Sequence, residues 1–244
     1  MSLILGIETA TKICSVAISR DGKLLALKEI GGEYSHSENL NHFIELACAE
    51  AKITLNQLDA IAVSKGPGSY TGLRIGVSTA KGLCYGLDKP LIAVDTLKAL
   101  TIGVIMSHLH TLPFGARPDF SGEGKGGVLF CPMIDARRME VYTALYNSKF
   151  KLIDSISAKI IDENSFAHFL ESNKVVFFGD GAEKCKSALG SHPNAIFIDN
   201  VEPSAQYVNQ LAVEKFNNKE FEDVAYFEPY YLKEFLATTP KNKG

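Results

Sequence analysis

The sequence predicts an α/β fold built from two related lobes. Short apolar strands alternate with amphipathic helices along most of the chain. Each half opens with a strand–turn–strand unit, at residues 3–19 and 128–146. In each half a later strand runs into a glycine-containing turn and then a helix, at residues 59–86 and 174–189. Duplication of one lobe explains this shared order of elements.

The first half is predicted to form a three-stranded meander followed by alternating helices and strands. Ser35 and Glu38 have the spacing of a capping box and mark the start of a helix. Asp95 is placed to cap a later helix. The predicted elements are strands at Leu3–Ile7, Cys14–Ser19, Leu24–Ile30, Asp59–Ser64 and Leu91–Val94, and helices after Ser35, at Thr71–Gly86 and from Thr96.

The second half repeats this organisation after an irregular connection. Residues 107–127 contain two prolines and five glycines, which predicts a boundary between lobes at 1–106 and 128–244. The final helix of the second lobe is free to pack back onto the first. The predicted elements are strands at Val128–Ile134, Glu140–Tyr146, Leu152–Ile160, Lys174–Phe178 and Ala195–Ile198, and helices at Glu163–Glu171, after Gly181 and near Ser204–Phe216.

Two related α/β lobes, each opening with a hairpin that carries an acidic residue, are the layout of the actin/sugar-kinase/Hsp70 (ASKHA) class. In that class the first hairpin offers backbone N–H groups and hydroxyls to a nucleotide phosphate, while an acidic side chain handles magnesium. Here Glu8, Thr9 and Thr11 occupy the first hairpin, and Asp135 occupies the second. The alternative is an ordinary solvated turn.

A second candidate site is the glycine-rich loop that precedes the helix at Thr71–Gly86. Gly66 and Gly68 can present free N–H groups to an anion near a helix N-terminus. The loop lacks the Gly-Lys-Ser/Thr ending of a Walker A motif. A tight strand-to-helix turn is the alternative.

The helix after this loop has small residues at every fourth position. A glycine inside a helix costs about 0.5–1 kcal/mol relative to alanine, and close approach of another helix commonly offsets that cost. The contact is either internal or made with another molecule, and we expect the helix after Ser35 to contribute. The predicted partner interface comprises Leu40, Phe43, Gly72, Leu73, Gly76, Thr79, Ala80 and Leu83.

Composition narrows the function classes. The 244 residues include 25 Lys and Arg against 28 Asp and Glu, a net charge of −3, which argues against a strongly basic nucleic-acid binder. The chain lacks a long apolar run and a basic, apolar leader, so we expect a cytoplasmic protein without membrane association. None of the six histidines forms an HxxxH or HExxH pair, and no catalytic residue or metal ligand is predicted. The five cysteines, without a CxxC pair, are expected to be buried apolar side chains.

Five segments resemble the bacterial TsaB (YeaZ) family. They are Leu5–Thr11 (LGIETAT), Ser35–Glu38 (SHSE), Asp59–Gly76 (DAIAVSKGPGSYTGLRIG), Asp135–Tyr142 (DARRMEVY) and, more loosely, Pro229–Lys233 (PYYLK). The GPGSYTGLRIG stretch is highly specific to that family. Departures are Glu8, where an aspartate is commoner, and the long insert at residues 107–127.

The resemblance implies a part in making N6-threonylcarbamoyladenosine at position 37 of tRNA. It implies a noncatalytic scaffold that binds the TsaD transferase, assists recruitment of the ATPase TsaE and forms homodimers through the same N-terminal helices. It also implies that tRNA is reached only through the complex. No cofactor is required on this view, and ATP or ADP, if bound, lies at or near the partner interface.

Three other functions compete with this interpretation. An independent ATP-dependent phosphotransferase of the same fold class would use Glu8 with Asp135 for magnesium and the glycine loops for phosphates. A zinc peptidase related to the M22 glycoproteases would need metal ligands that the histidine spacing does not supply. A direct tRNA binder would have to overcome the net negative charge.

Overall fold

A computed structural model of the chain describes residues 1–32, 35–108 and 126–233. It contains two five-stranded mixed sheets, one in each lobe. The first lobe comprises β1 Leu3–Glu8, β2 Ile13–Arg20, β3 Lys23–Gly31, α1 Ser35–Ala51, β4 Ala60–Gly66, α2 Tyr70–Leu87, β5 Leu91–Asp95 and α3 Thr96–His108. The second comprises β6 Val128–Asp135, β7 Glu140–Asn147, β8 Leu152–Ile160, α4 Ala167–Leu170, β9 Lys174–Phe178, α5 Lys186–Leu189, β10 Ala195–Ile198 and α6 Ala205–Asn217.

The two sheets repeat one topology. The first has the strand order β3-β2-β1-β4-β5, and the second has the equivalent order β8-β7-β6-β9-β10. In both, the first three strands pair antiparallel and the later strands pair parallel. The prediction of two related α/β lobes of the ASKHA class is thereby confirmed.

Helices cover both faces of the first sheet. Alternate strand residues such as Leu5 and Val63 face α1 and α2, while Ile4 and Ala62 face α3 and α6. Side chains of α3, among them Leu100 and Val104, also pack against the second sheet. Helix α3 therefore joins the two lobes, and α6 brings the C-terminal part of the chain back to the first.

A buried asparagine fixes α6 on the first sheet. The side-chain amide of Asn209 donates to the carbonyl oxygens of Ile4, at 3.3 Å, and Ala17, at 3.1 Å. A Cβ at Gly6 would overlap the Asn209 side chain, so glycine is needed at this crossing. Ser204 caps the helix by accepting from the Gln206 N–H.

The chain then runs along both lobes through residues 222–233, which include a turn at residues 224–226 and which we name the C-terminal strap. Its Glu222 N–H donates to Leu91 at 2.9 Å, and its Tyr230 N–H donates to Lys65 at 2.7 Å. At its end Lys233 forms an ion pair with Glu140 of the second lobe. The strap therefore links β5, the glycine-rich loop and β7.

Most predicted elements agree with the structure, but the helix predicted at Glu163–Glu171 was wrong. Only Ala167–Leu170 is helical there. The Asp162 side chain accepts from the Asn164 N–H and the Ser165 hydroxyl, and this polar turn competes with helix formation. The helix predicted after Gly181 is present but short: a 3₁₀ turn at Glu183–Cys185 leads into the four-residue α5.

Two smaller predictions, for the cysteines and for Asp95, agree with the structure. All five cysteines are buried and unpaired, as predicted. Asp95 accepts from the Lys98 N–H at 2.9 Å and caps α3, also as predicted. In the described ranges, no helix combines the length and apolar character needed to cross a lipid bilayer. Residues 109–125 of the predicted connection and the C-terminal tail lie outside the described residues.

The glycine face of α2 packs inside the lobe, which corrects part of the predicted partner interface. A Cβ at Gly72 would overlap the Thr9 carbonyl, and one at Gly76 would overlap the Thr9 hydroxyl. Leu73 and Ala80 are fully buried on the same face, and Leu40 of α1 is 2% exposed. These five residues serve the first lobe's own packing rather than contact with another chain.

We expect two alanine substitutions in α2 to change stability in opposite directions. Gly76→Ala places a methyl group on the Thr9 hydroxyl and should lower the free energy of unfolding by about 1–3 kcal/mol. Gly82→Ala meets no described atom within 4 Å and should raise it by about 0.5–1 kcal/mol. Urea denaturation measures both. A Gly76→Ala protein as stable as the wild type would contradict the internal packing.

Candidate functional site

The turn between β1 and β2 interlocks with the glycine-rich loop. The Thr9 hydroxyl donates to the Gly72 carbonyl at 2.8 Å, and the Ser69 N–H donates to the Ala10 carbonyl at 2.6 Å. A Cβ at Gly68 would overlap the same Ala10 carbonyl. The sequence predicts the β1–β2 turn and the glycine-rich loop as separate phosphate-binding segments. In the structure the two segments bind each other.

Glu8 lies at the centre of this contact and is fully buried. Its Oε1 accepts from the Ala10 N–H at 2.6 Å and from the Ser64 hydroxyl at 2.8 Å. Its Oε2 has no hydrogen-bond partner among the described residues. Burial raises the pKa of the Glu8 carboxyl to about 7, although the hydrogen bonds from Ala10 and Ser64 oppose the shift.

His36 braces the same turn from the start of α1. It hydrogen-bonds the backbone of Thr11 and Thr9, and its Nε2 lies next to Gly72. Burial lowers the pKa of the His36 imidazole despite those hydrogen bonds. The SHSE segment thus has a packing role within the first lobe.

This geometry corrects the predicted phosphate-binding set. Glu8 and Thr9 are buried, and the Glu8 Oε1 and the Thr9 hydroxyl are hydrogen-bonded to neighbouring protein groups. Thr11 is 7% exposed and accepts from the Ile13 N–H. Gly66 is buried beneath the carbonyl of Tyr230 in the C-terminal strap.

Asp135 occupies the equivalent turn of the second lobe and belongs to a different cluster. It forms an ion pair with Lys184, and its N–H donates to Asp180 at 3.0 Å. Burial and the neighbouring Asp135 carboxylate raise the pKa of Asp180. Lys12 of the first lobe and Glu202 also contribute to this charged cluster. Glu8 and Asp135 therefore have different partners and share no hydrogen bond or ion pair in the described part of the chain.

The outer surface of α1 and α2 remains open, and three predicted interface residues lie there. Phe43, Thr79 and Leu83 are all partly exposed. Beside them Tyr85 is 87% exposed and Leu46 is 39% exposed. Exposed aromatic and aliphatic side chains on neighbouring helices are typical of a protein-binding surface. We name this set, together with Gly82 and Gly86, the α1/α2 outer face.

Ser64, Tyr85 and Leu46 contribute to these sites although no pattern in the sequence marks them. Ser64 reads as a small residue in an apolar strand, and nothing in its surroundings signals that it binds Glu8. Helical spacing alone does not reveal which flank of α2 is covered by α1, so the sequence does not mark Tyr85 and Leu46 as part of a binding surface. Among the described residues, no three His, Cys, Asp or Glu side chains are grouped as metal ligands.

The raised pKa of Glu8 makes the stability of the protein depend on pH. The folded state holds this proton up to about pH 7, whereas the unfolded carboxyl releases it near its ordinary value of 4.5. Stability should therefore fall as pH rises between those values. Glu8→Gln should remove this dependence and exceed the wild type by about 2–3 kcal/mol above pH 7.

Urea denaturation of both proteins near pH 4.5 and again above pH 7 measures this difference. The Glu45→Gln variant, at an exposed position in the middle of α1, serves as the control and should follow the wild type at every pH. Wild-type stability that does not decline relative to Glu8→Gln as pH rises would refute the assignment.

Comparison with known proteins identifies the family. The family model for "TsaD: tRNA N6-adenosine threonylcarbamoyltransferase" matches residues 32–233. The tRNA threonylcarbamoyladenosine biosynthesis protein TsaB of Bacillus subtilis is 34% identical over 182 residues, 72% of this chain and 70% of that protein. TsaB of Haemophilus influenzae is 26% identical over 94% of this chain and 93% of that protein.

A solved structure, YeaZ from Pseudomonas aeruginosa, shares the fold. Its TM-score is 0.73 and its sequence identity 24%, with 95% of this chain and all of that chain covered. The repeated sheet topology, the family model and the TsaB relatives agree with the motifs in the two hairpins and the glycine-rich loop. The chain belongs to the TsaB (YeaZ) family of tRNA threonylcarbamoyladenosine biosynthesis proteins.

Proposed function

We propose that this chain is a noncatalytic, cytoplasmic scaffold in threonylcarbamoyladenosine synthesis. It binds the TsaD transferase through the α1/α2 outer face, assists recruitment of TsaE and reaches tRNA only through the assembled complex. The observation that carries the proposal is a pair of helical glycines with no internal function.

Those glycines are Gly82 and Gly86. A Cβ built on either meets no described atom within 4 Å, whereas Gly72 and Gly76 are needed for packing against Thr9. Gly82 lies inside α2, where a glycine costs about 0.5–1 kcal/mol, and this unrecovered cost favours a contact outside the lobe. Gly86 lies in the last turn of α2 and leaves the same flank open. Tyr85 stands beside them and offers an aromatic anchor.

The transferase is the partner that the chain's own relationships favour. The TsaD family model matches residues 32–233, a span that begins just before α1 and includes α2. A transferase with equivalent helices can pair face to face with this chain, as two identical copies do in a two-fold dimer. Homodimerisation through the same surface is the competing use of this face.

No cofactor is required for such a role, and we propose that ATP or ADP, when bound, lies at or near the partner interface. The interlocked turn and loop support a role without a bound cofactor, because Thr9 and Gly68 already pack against protein groups where a phosphate would be held. The alternatives are an ATP-dependent phosphotransferase of the ASKHA class and an M22-type metallopeptidase.

A bulky residue at the open face tests the interface without disturbing the core. We expect Gly82→Leu to weaken binding of TsaD about tenfold to a hundredfold, the equivalent of about 1–3 kcal/mol of overpacking. Its Tm should stay equal to or rise above that of the wild type, since leucine favours helix more than glycine. Isothermal titration calorimetry and thermal unfolding supply the two measurements.

Ser155→Leu provides a matched control, because it adds the same side chain to an exposed position of the second lobe. It should bind TsaD like the wild type. Unchanged affinity in Gly82→Leu would remove the interface assignment. A third outcome would assign this face to a homodimer instead of the scaffold. In that case the wild-type chain associates with itself, Gly82→Leu disrupts this association, and neither protein binds TsaD.

ATP turnover separates the scaffold from the phosphotransferase. We expect the isolated chain to show no steady ATP hydrolysis or phosphate transfer, in the presence or absence of magnesium. A coupled ADP-release assay on the wild type and Glu8→Ala measures this. Turnover that disappears in Glu8→Ala would favour the phosphotransferase.

A further inference from the structure

A second surface of the first lobe has the features of a small-ligand site and lies on the opposite face of the sheet from the α1/α2 outer face. Adjacent parallel strands β4 and β5 end side by side here. Helix α2 leaves β4 on one face of the sheet, and α3 leaves β5 on the other. Such a divergence opens a crevice at the carboxyl ends of the strands, where doubly wound folds bind ligands.

A cavity of about 280 Å³ occupies this crevice. Its floor is Val94 and Asp95 at the end of β5, and its far wall is Leu211 of α6. Lys65 enters from the end of β4, and Lys98 enters from the first turn of α3. The cavity is therefore lined by β4, β5 and α3 of the first lobe and by α6, which packs against the first sheet.

Two of the three acidic side chains that line the cavity, Asp95 and Glu220, already have partners, and the third is Glu214. Asp95 accepts from the Lys98 N–H at 2.9 Å and lies 3.4 Å from the Tyr146 hydroxyl. Glu220 accepts from Asn218 at 3.1 Å and pairs with Lys215 at 3.4 Å. Their hydrogen-bonding capacity is largely used within the protein.

The ammonium groups of Lys65 and Lys98 differ in this respect. Neither forms an ion pair within the described ranges. Each ammonium carries three donors. Lys65 lies close enough to stabilise the Asp95 carboxylate, and Lys98 interacts at longer range with Glu220. The ammonium groups of Lys65 and Lys98 can therefore donate hydrogen bonds to an acceptor-rich, negatively charged group.

We propose that this cavity binds a phosphate group between the ammonium groups of Lys65 and Lys98. Lys65 and Lys98 supply two ammonium groups without an ion-pair partner in the described ranges, and a phosphate group carries a charge of about −2 near neutral pH. Glu214, which also lines the cavity, adds an acceptor suited to a hydroxyl or amine elsewhere on the ligand. The source is either inorganic phosphate or a small phosphorylated metabolite.

Backbone hydrogen bonds next to Lys65 link the cavity to the rest of the lobe. Lys65 directly precedes Gly66, whose N–H donates to the Thr96 hydroxyl at 3.1 Å. The Lys65 carbonyl accepts from Tyr230 of the C-terminal strap at 2.7 Å. A ligand held by Lys65 therefore contacts the residue that joins the glycine-rich loop to the strap.

Calorimetric titration of the full chain with inorganic phosphate at low ionic strength tests the site. We expect saturable binding in the millimolar range, weakened about tenfold or more in Lys65→Gln/Lys98→Gln, since hydrogen bonds to charged groups contribute strongly. Lys149→Gln, an exposed lysine of the second lobe, should match the wild type. Absence of saturable binding, or binding that the double variant retains, would overturn the proposal.

Two further arms complete the experiment. If the double variant does not fold, Lys98→Gln and Lys98→Arg are compared, and only the charge-retaining arginine should preserve phosphate binding; equal loss in both would overturn the site. Titration with AMP separates the sources, because tighter binding than phosphate indicates a phosphorylated metabolite and equal or weaker binding indicates the free ion. The result is independent of the scaffold proposal, which depends on Gly82.

Discussion

The closure of the β1–β2 turn over the start of α2 sets the geometry of the first lobe. Thr9 binds the Gly72 carbonyl, and Ala10 accepts from the Ser69 N–H. Gly72 and Gly76 allow the helix to approach closely enough for these contacts. The helix is thereby held at one depth against the sheet, and its opposite flank, with Gly82 and Tyr85, is turned to the outside.

The sequence predicts the architecture well because hydrophobic period and turn residues are local properties. The meander, the glycine-rich loop and Asp95 as a helix cap all follow from short stretches of chain. The helix at Glu163–Glu171 fails because the Asp162 turn offers the backbone a competing set of hydrogen bonds. Such competition between local patterns is hard to weigh from residue types alone.

The candidate sites are harder to predict, because they depend on which side of an element becomes covered. Gly72 and Gly76 correctly indicate a close packing contact, but the neighbour is Thr9 of the lobe's own β1–β2 turn and not another helix. The relevant partners are distant in sequence, as Glu8 is from Ser64 and Lys65 is from Lys98. Only the folded topology decides whether a small-residue stripe faces inward or outward.

The return of α6 to the first sheet has a consequence for synthesis of the protein on the ribosome. Val208, Leu211 and Ala212 complete the core on one face of that sheet, and Asn209 satisfies carbonyl groups on β1 and β2. Until these residues emerge from the exit tunnel, the nascent first lobe exposes an apolar sheet face beside α3. The lobe made first is therefore completed last, and its apolar sheet face stays uncovered from the emergence of β5 until the emergence of α6.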